Sequence, residues 1–424
     1  MTLRIAIVGG GLGGLAAALF LRQAGIQAQV YEQSRSLREA GAGIVVPPNM
    51  VRALAELGLA EALPAFAVQL EAAWEFCRWQ DGRVLFSQPM GQACLALYGA
   101  HCYVAHRADL LALYQRALPA AQLHADRRLV ALRDAGDELE LDFAARDGAT
   151  HSVRADAVIG ADGIHSLLRT QIAPTADSRF SGLCAYRCLV PAEAAPAMAR
   201  RAVQSLWLGP GRHLVHYPVA SGRLVNIVAI VPSWHRATLP TGDWRTESWV
   251  AEGEVAELRR EFEGWAAPVQ QLLAWASETQ RWALYDRSPL ERWSQGRITL
   301  LGDAAHAMLP FFARGAAQAT EDAAVLAYCL RGVPREAVPQ ALARYETARR
   351  PRASEVQLMS RGRELRNHLP EGPAQAQRDA KFASGDLLRQ GAWLHGRDWR
   401  AALAGSAGLN ATRRTLRRDA WRLR

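Results

Sequence analysis

A glycine-rich turn near the start constrains this chain more than any other feature. Leu3 to Val8 is a short apolar run, and the GGGLGGL after it sets Gly9, Gly11 and Gly14 at the spacing G-x-G-x-x-G. Leu15 to Ala24 has the pattern of a helix, Gly25 ends it, and Gln29 to Tyr31 reads as a second strand closed by Glu32. Together these form a β-α-β unit. The glycines let backbone approach a pyrophosphate, and Glu32 stands where an acid holds ribose hydroxyls. The glycine spacing alone is common, but between a strand and a helix it reads as a dinucleotide cradle. No second such unit occurs downstream, because Gly209-Pro210-Gly211 lacks the last glycine.

A second convergence lies at Gly296 to Ala327. The apolar run Ile298 to Leu301 reads as a buried strand, Gly302-Asp303 follows it, and a helical pattern starts near Gly315. The Asp303 carboxylate can accept from a sugar-like hydroxyl, while the free N–H groups at Gly315 and Ala316 can face developing negative charge. That pairing suits a nucleotide cofactor whose reactive ring becomes anionic.

Between these two units the pattern changes. Pro47-Pro48-Asn49 reads as the cap of a helix containing Leu54 and Leu57, and Trp74 to Gln88 alternates as strands around an Asp81-Gly82 turn. A helix begins at His106-Arg107, where an arginine in the first turn opposes the helix dipole and so becomes a candidate for a phosphate contact. The buried strand Ala157 to Gly160 ends in Asp162-Gly163, an ordinary turn signal. Phe180 to Trp282 is mostly strand, and seven of the 13 tryptophans lie between Trp234 and Trp293, for packing or for a pocket. On the strand ending in HLVHYPV, His213, Val215 and Tyr217 share one face and His216 points the other way. His213 and Tyr217 are then either a packed pair or a base and hydroxyl facing a ligand.

At 424 residues two domains are expected. The net charge of +9 is dispersed, which argues against nucleic acid, and Arg413 to Arg424 is the one basic cluster. Lys381 is the only lysine, so catalytic lysines are nearly excluded. The six cysteines contain no C-x-x-C, and there is no signal-like start or 18-residue apolar run. Buried free thiols, no integral membrane segment and a cytoplasmic location are expected, with the chain a monomer or homodimer.

Taken together, GGGLGGL with Glu32, HRADL at His106, VIGADGIHS at Val158 and LLGDAAHAMLP at Leu300 resemble the class A FAD-dependent monooxygenases. GAGI at Gly41, HYPV at His216 and LPEGPAQAQRDA at Leu369 resemble the group of salicylate hydroxylase, 3-hydroxybenzoate 6-hydroxylase and 6-hydroxynicotinate 3-monooxygenase. The resemblance implies an α/β fold, α+β overall. A Rossmann-like FAD-binding domain (1–73, 100–175 and 284–360) would carry an inserted, mostly antiparallel β-sheet substrate domain (74–99 and 176–283) and a C-terminal helical extension (361–424). It implies FAD on Gly9, Gly11, Gly14 and Glu32, Arg107 near its phosphates, Asp162 in contact with it, and Asp303 on its ribityl chain. Pro310, Gly315 and Ala316 would flank the isoalloxazine. NADH or NADPH would reduce the flavin without a domain of its own. O₂ would then give a C4a-hydroperoxide that hydroxylates a small phenolic or aromatic acid. His213 and Tyr217 match a histidine and tyrosine that serve the phenol in such enzymes.

Two departures bear on the substrate. Relatives often carry glutamine in PxxxQG where this chain has Arg314, which would fork onto a substrate carboxylate or phenolate or else face solvent. Val45 stands where hydroxynicotinate enzymes carry histidine, which counts against a hydroxypyridine handled by that base. Competing readings are a flavin reductase that works without O₂ and a flavin-binding regulator without turnover. A halogenase would need a lysine and a W-x-W-x-I-P motif, and Lys381 lies far from any such motif.

Overall fold

The computed structural model describes residues 3–36, 43–174, 178–233 and 250–403. The elements that position the site are, in chain order, β1 (Ile5–Val8), α1 (Leu12–Gln23), β2 (Ala28–Tyr31), α2 (Arg107–Ala117), β3 (Ala157–Gly160), β4 (Arg212–Val219), β5 (Leu224–Pro232), β6 (Ile298–Leu300), α3 (Gly315–Leu330) and α4 (Val338–Asn367).

Every residue of β1 and β3 is buried, so the continuous apolar runs IAIV and AVIG belong to strands covered on both faces. They form the centre of a six-stranded sheet ordered Ser294–Gln295, β6, β3, β1, β2, Leu123–His124. All its pairings are parallel except the edge strand Ser294–Gln295. Ile5 sits between Ala157 and Ala28. The first strand and the strand before Asp303 are thus separated only by β3, which brings the two sequence convergences to one end of one sheet. A Cβ on Gly13 would stand 2.8 Å from Leu301 Cδ2 and 3.3 Å from the Ala319 methyl, so glycine lets α1 pack directly on the sheet and on α3.

A second sheet, of eight strands, runs in the order Val250–Gly253, Thr279–Arg287, Ser178–Pro191, β5, β4, Val203–Gly209, Ala72–Arg78, Val84–Pro89. It is antiparallel except where Val203–Gly209 meets Ala72–Arg78. The Asp81-Gly82 turn joins its last two strands, with Gly82 at φ +74°. Gly209-Pro210-Gly211 closes a hairpin into β4, with Gly211 at φ +70°. On β4 the two-residue period sends His213, Val215 and Tyr217 toward one cavity, while His216 lies against Trp207 on the opposite face.

Several expectations need correction. Asn49 is not a helix cap: the helix Pro48–Glu56 starts at Pro48, and Asn49 is buried inside it, donating 2.7 Å to Glu321 Oε1. A boundary at residue 361 cuts through α4, which continues past Pro351 to Asn367. None of Trp265, Trp275, Trp282 and Trp293 lines the cavity, whereas Trp74 does. Gly41 and Ala42 of GAGI, Trp234, Trp244, Trp249 and the basic tail lie outside the described residues. No helix among the described residues is long and apolar enough to cross a membrane.

Candidate active site

The three turn glycines differ in what each leaves room for. A Cβ on Gly9, at φ +108°, would lie 2.3 Å from Ala161 O, and one on Gly14 would lie 2.0 Å from Gly9 O. Those two are glycine because protein backbone crowds them. Gly11 meets nothing within 4 Å and lines the cavity, so the space it opens belongs to a ligand. The first turn of α1 has no side-chain cap, leaving its N–H groups for that ligand. Glu32, at the end of β2, accepts from Gly10 N–H at 2.7 Å and Ser34 N–H at 2.8 Å.

Across the sheet end, Asp303 is held by a buried ionic scaffold. Asp322 Oδ2 lies 2.6 Å from His306 Nε2 and accepts from Gly302 N–H at 3.2 Å. Its Oδ1 accepts from Arg349 Nε at 2.7 Å, and Arg349 also donates to Glu321 at 2.7 Å. Burial opposes ionisation of Asp322, but His306 and Arg349 outweigh it and hold the carboxyl below its usual range. The scaffold fixes the Gly302 turn, where φ is +63°, and presents Asp303 outward with no hydrogen bond to a described residue. A Cβ on Gly315 would be 3.7 Å from Asp303 Oδ1, so acid and helix start do converge.

One cavity of about 350 Å³ joins these parts to the second sheet. Gly11, Arg107, Asp303, Pro310, Arg314, Gly315, Ala316, His213 and Tyr217 all line it. Gly9, Gly14 and Glu32 stand behind that surface. Asp162 Oδ2 accepts from Leu167 N–H at 2.9 Å, at the start of the short helix Leu167–Ile172 that Ser166 caps, while its neighbours Ala161 and Gly163 face the cavity.

The part of the cavity against the second sheet is apolar except for a few groups. Ala73, Leu206, Val215, Val228 and Ile230 supply the walls. Tyr217 is buried, and burial raises its hydroxyl above the usual range. Gly43 is packed against Tyr217 and Asn226, and its N–H donates 2.7 Å to Asn226 Oδ1, which braces the strand Gly43–Val46 on β4 and β5. His213 is 3% exposed, and its Nδ1 lies 2.6 Å from His368 Nε2. Burial, His368 and Arg363 push it well below the ordinary histidine range.

Arg314 does not face solvent. It is 3% exposed, its Nη2 lies 3.1 Å from His395 Nε2, and its Nε and Nη1 have no partner among the described residues. Burial lowers it to about 10, so it stays a cation at neutral pH. His395 is itself wedged between Tyr98 and Trp74, with ring centroids at 5.3 and 5.5 Å. His368 and His395 both come from the stretch beyond residue 361, where the residue spacing carries no chemical signal. Proximity of His368 to the LPEGPAQAQRDA stretch was the one available signal, and His395 had none. Arg187 was also missed: it lines the cavity with its guanidinium 4.7 Å over the Trp282 ring.

The FAD binding domain family matches residues 2–360. The chain belongs to that family. It is similar to 3-amino-4-hydroxybenzoate 2-monooxygenase PtmB3 of Streptomyces platensis, at 41% identity over 95% of this chain and 98% of the relative. The 6-hydroxynicotinate 3-monooxygenase of Pseudomonas fluorescens is 37% identical over 84% of this chain and 90% of its own length. A salicylate hydroxylase substrate complex superposes with a TM-score of 0.78 at 29% identity, covering 95% and 97% of the two chains.

This flavoprotein is an FAD-dependent aromatic monooxygenase with NAD(P)H and O₂ as co-substrates. FAD, when bound, supplies the redox chemistry that activates O₂ for insertion into an aromatic ring. The residues present fit it: Gly11 opens space beside uncapped helix N–H groups, and Asp303 stands beside Gly315 with no partner among the described residues. The reductase and regulator readings find no support among these relatives.

Proposed function

We propose that the substrate is a small hydroxybenzoate, with an amino substituent tolerated on the ring. In this reading Arg314 takes the carboxylate, His213 and Tyr217 take the phenolic hydroxyl, and the aliphatic walls hold the ring. The observation that carries it is Arg314, a buried cation at the cavity wall whose Nε and Nη1 have no partner among the described residues. A buried charge left so is costly unless a ligand completes it, and a guanidinium fork suits a carboxylate. The relative that acts on 3-amino-4-hydroxybenzoate supports an acid of this size.

On the cofactor side we assign the pyrophosphate to Gly11 and the α1 N-terminus, a phosphate contact to Arg107, and the ribityl chain to Asp303. Gly315 and Ala316 face the reduced ring, where a helix start contributes about 0.3–1 kcal/mol to an adjacent negative charge. Six buried free cysteines support a reducing, cytoplasmic setting.

The test is a panel of hydroxybenzoates, each paired with its carboxamide, scored for stimulated NAD(P)H oxidation and hydroxylated product. Acids should stimulate with coupled product, and their uncharged partners should require about 10- to 100-fold higher concentration, the worth of hydrogen bonds to a charged group. Equal use of acids and carboxamides would refute the assignment.

A further inference from the structure

The cavity wall formed by β4 does not end at His213. His213 is almost fully buried, whereas His368, whose Nε2 lies 2.6 Å from it, is half-buried at the end of α4. The backbone holds His368 in place. Its N–H donates to Glu364 O at 3.2 Å, and its carbonyl accepts from Gly211 N–H at 3.1 Å, tying the end of α4 to the hairpin turn that leads into β4. Phe311 closes over both rings at 5.6 and 5.9 Å. The charged neighbours are Arg363, facing His213, and Arg212, facing His368.

A packed histidine of ordinary structural role would donate to a carbonyl and stop there. Here the partner is a second imidazole, able to take a proton on one nitrogen and release another from the opposite one. His213 makes no further hydrogen bond to a described residue, so its Nε2 is the ring atom left for a ligand. Burial and the surrounding cations disfavour an imidazolium at His213. A proton arriving there is weakly held, and His368 is the neighbour placed to accept one.

We propose that His213 and His368 form a two-step proton relay from the substrate hydroxyl to solvent. The substrate O–H bond breaks as an N–H bond forms at His213 Nε2. The Nδ1–H of His213 then passes its proton to His368 Nε2, and the proton on His368 Nδ1 leaves to water. No electrons are exchanged, and the substrate remains as phenolate. The inference rests on the reading of His213 as the hydroxyl's acceptor. His368 touches no substrate and acts only through His213.

Oxidised FAD-loaded enzyme mixed in a stopped flow with 4-hydroxy-3-nitrobenzoate, whose phenolate is coloured, separates the two roles. His368→Gln should leave the ionised fraction at equilibrium unchanged and slow its appearance by about tenfold or more, the low side of the ~10²–10⁴ a positioned acceptor contributes. His368→Glu, which can still accept a proton, should keep the rate, and added imidazole should restore it in His368→Gln. An unchanged rate in His368→Gln, or equal slowing in both variants without rescue, would overturn the relay. His213→Gln should lower the ionised fraction itself. If it does not, the acceptor reading of His213 fails, whatever His368 does.

Discussion

The two halves of the active site are built by opposite means. The cofactor half is backbone and local sequence: a glycine turn between β1 and α1, a helix start, and an acid one residue beyond a strand–turn junction. The substrate half is side chain and distance, with Arg314 meeting His395 across 81 residues and His213 meeting His368 across 155. Cofactor recognition asks for the same pyrophosphate geometry every time, so short motifs suffice. On the proposed reading, substrate recognition asks for one cation in one place, and any segment that reaches the cavity can brace it.

The largest expected effect strikes the first half alone. A Cβ at residue 14 would sit 2.0 Å from Gly9 O, so Gly14→Val must open the turn. Overpacking of this kind costs about 1–3 kcal/mol or more, and the variant should purify without flavin absorbance. A fully yellow, equally stable variant would show that the turn does not need its close helix–strand approach.

A smaller effect separates the halves by pH. The eight-stranded sheet carries His216, 0% exposed with neither ring nitrogen partnered among the described residues, and burial lowers it to about 4. The unfolded chain takes up that proton near pH 6.5 and the folded one only near 4. His216 therefore favours the fold fully above about pH 6.5, and this contribution is lost as pH falls toward 4. Melting temperature should drop across that window in the wild type and drop less in His216→Phe. Parallel curves for the two proteins would remove His216 as the cause.

The same contrast explains what could be read from the sequence. Gly9, Gly11, Gly14 and Asp303 lie close behind a strand end and Gly315 opens a long helix, places where periodicity and turn chemistry speak directly. The shared face of His213, Val215 and Tyr217 was legible because a strand alternates. The direction of Arg314 was not, since it depends on His395 and the rings of Tyr98 and Trp74. Asn49 has the composition of a cap, yet Glu321, buried beside Arg349 and Arg352, takes its amide instead. The Asp322–His306–Arg349 scaffold left no local trace for a related reason. Each member reads as an ordinary helix residue until α3 and α4 pack together.

In the proposed function Arg314 is the acid anchor of a cavity whose cofactor half stands without it. Dissociation constants of the oxidised FAD enzyme for a hydroxybenzoate and its carboxamide, in wild type and Arg314→Gln, test it in one cycle. The wild type should prefer the acid by about 10- to 100-fold, and Arg314→Gln should lose that preference while keeping its flavin. An acid preference that survives intact in Arg314→Gln would contradict the account.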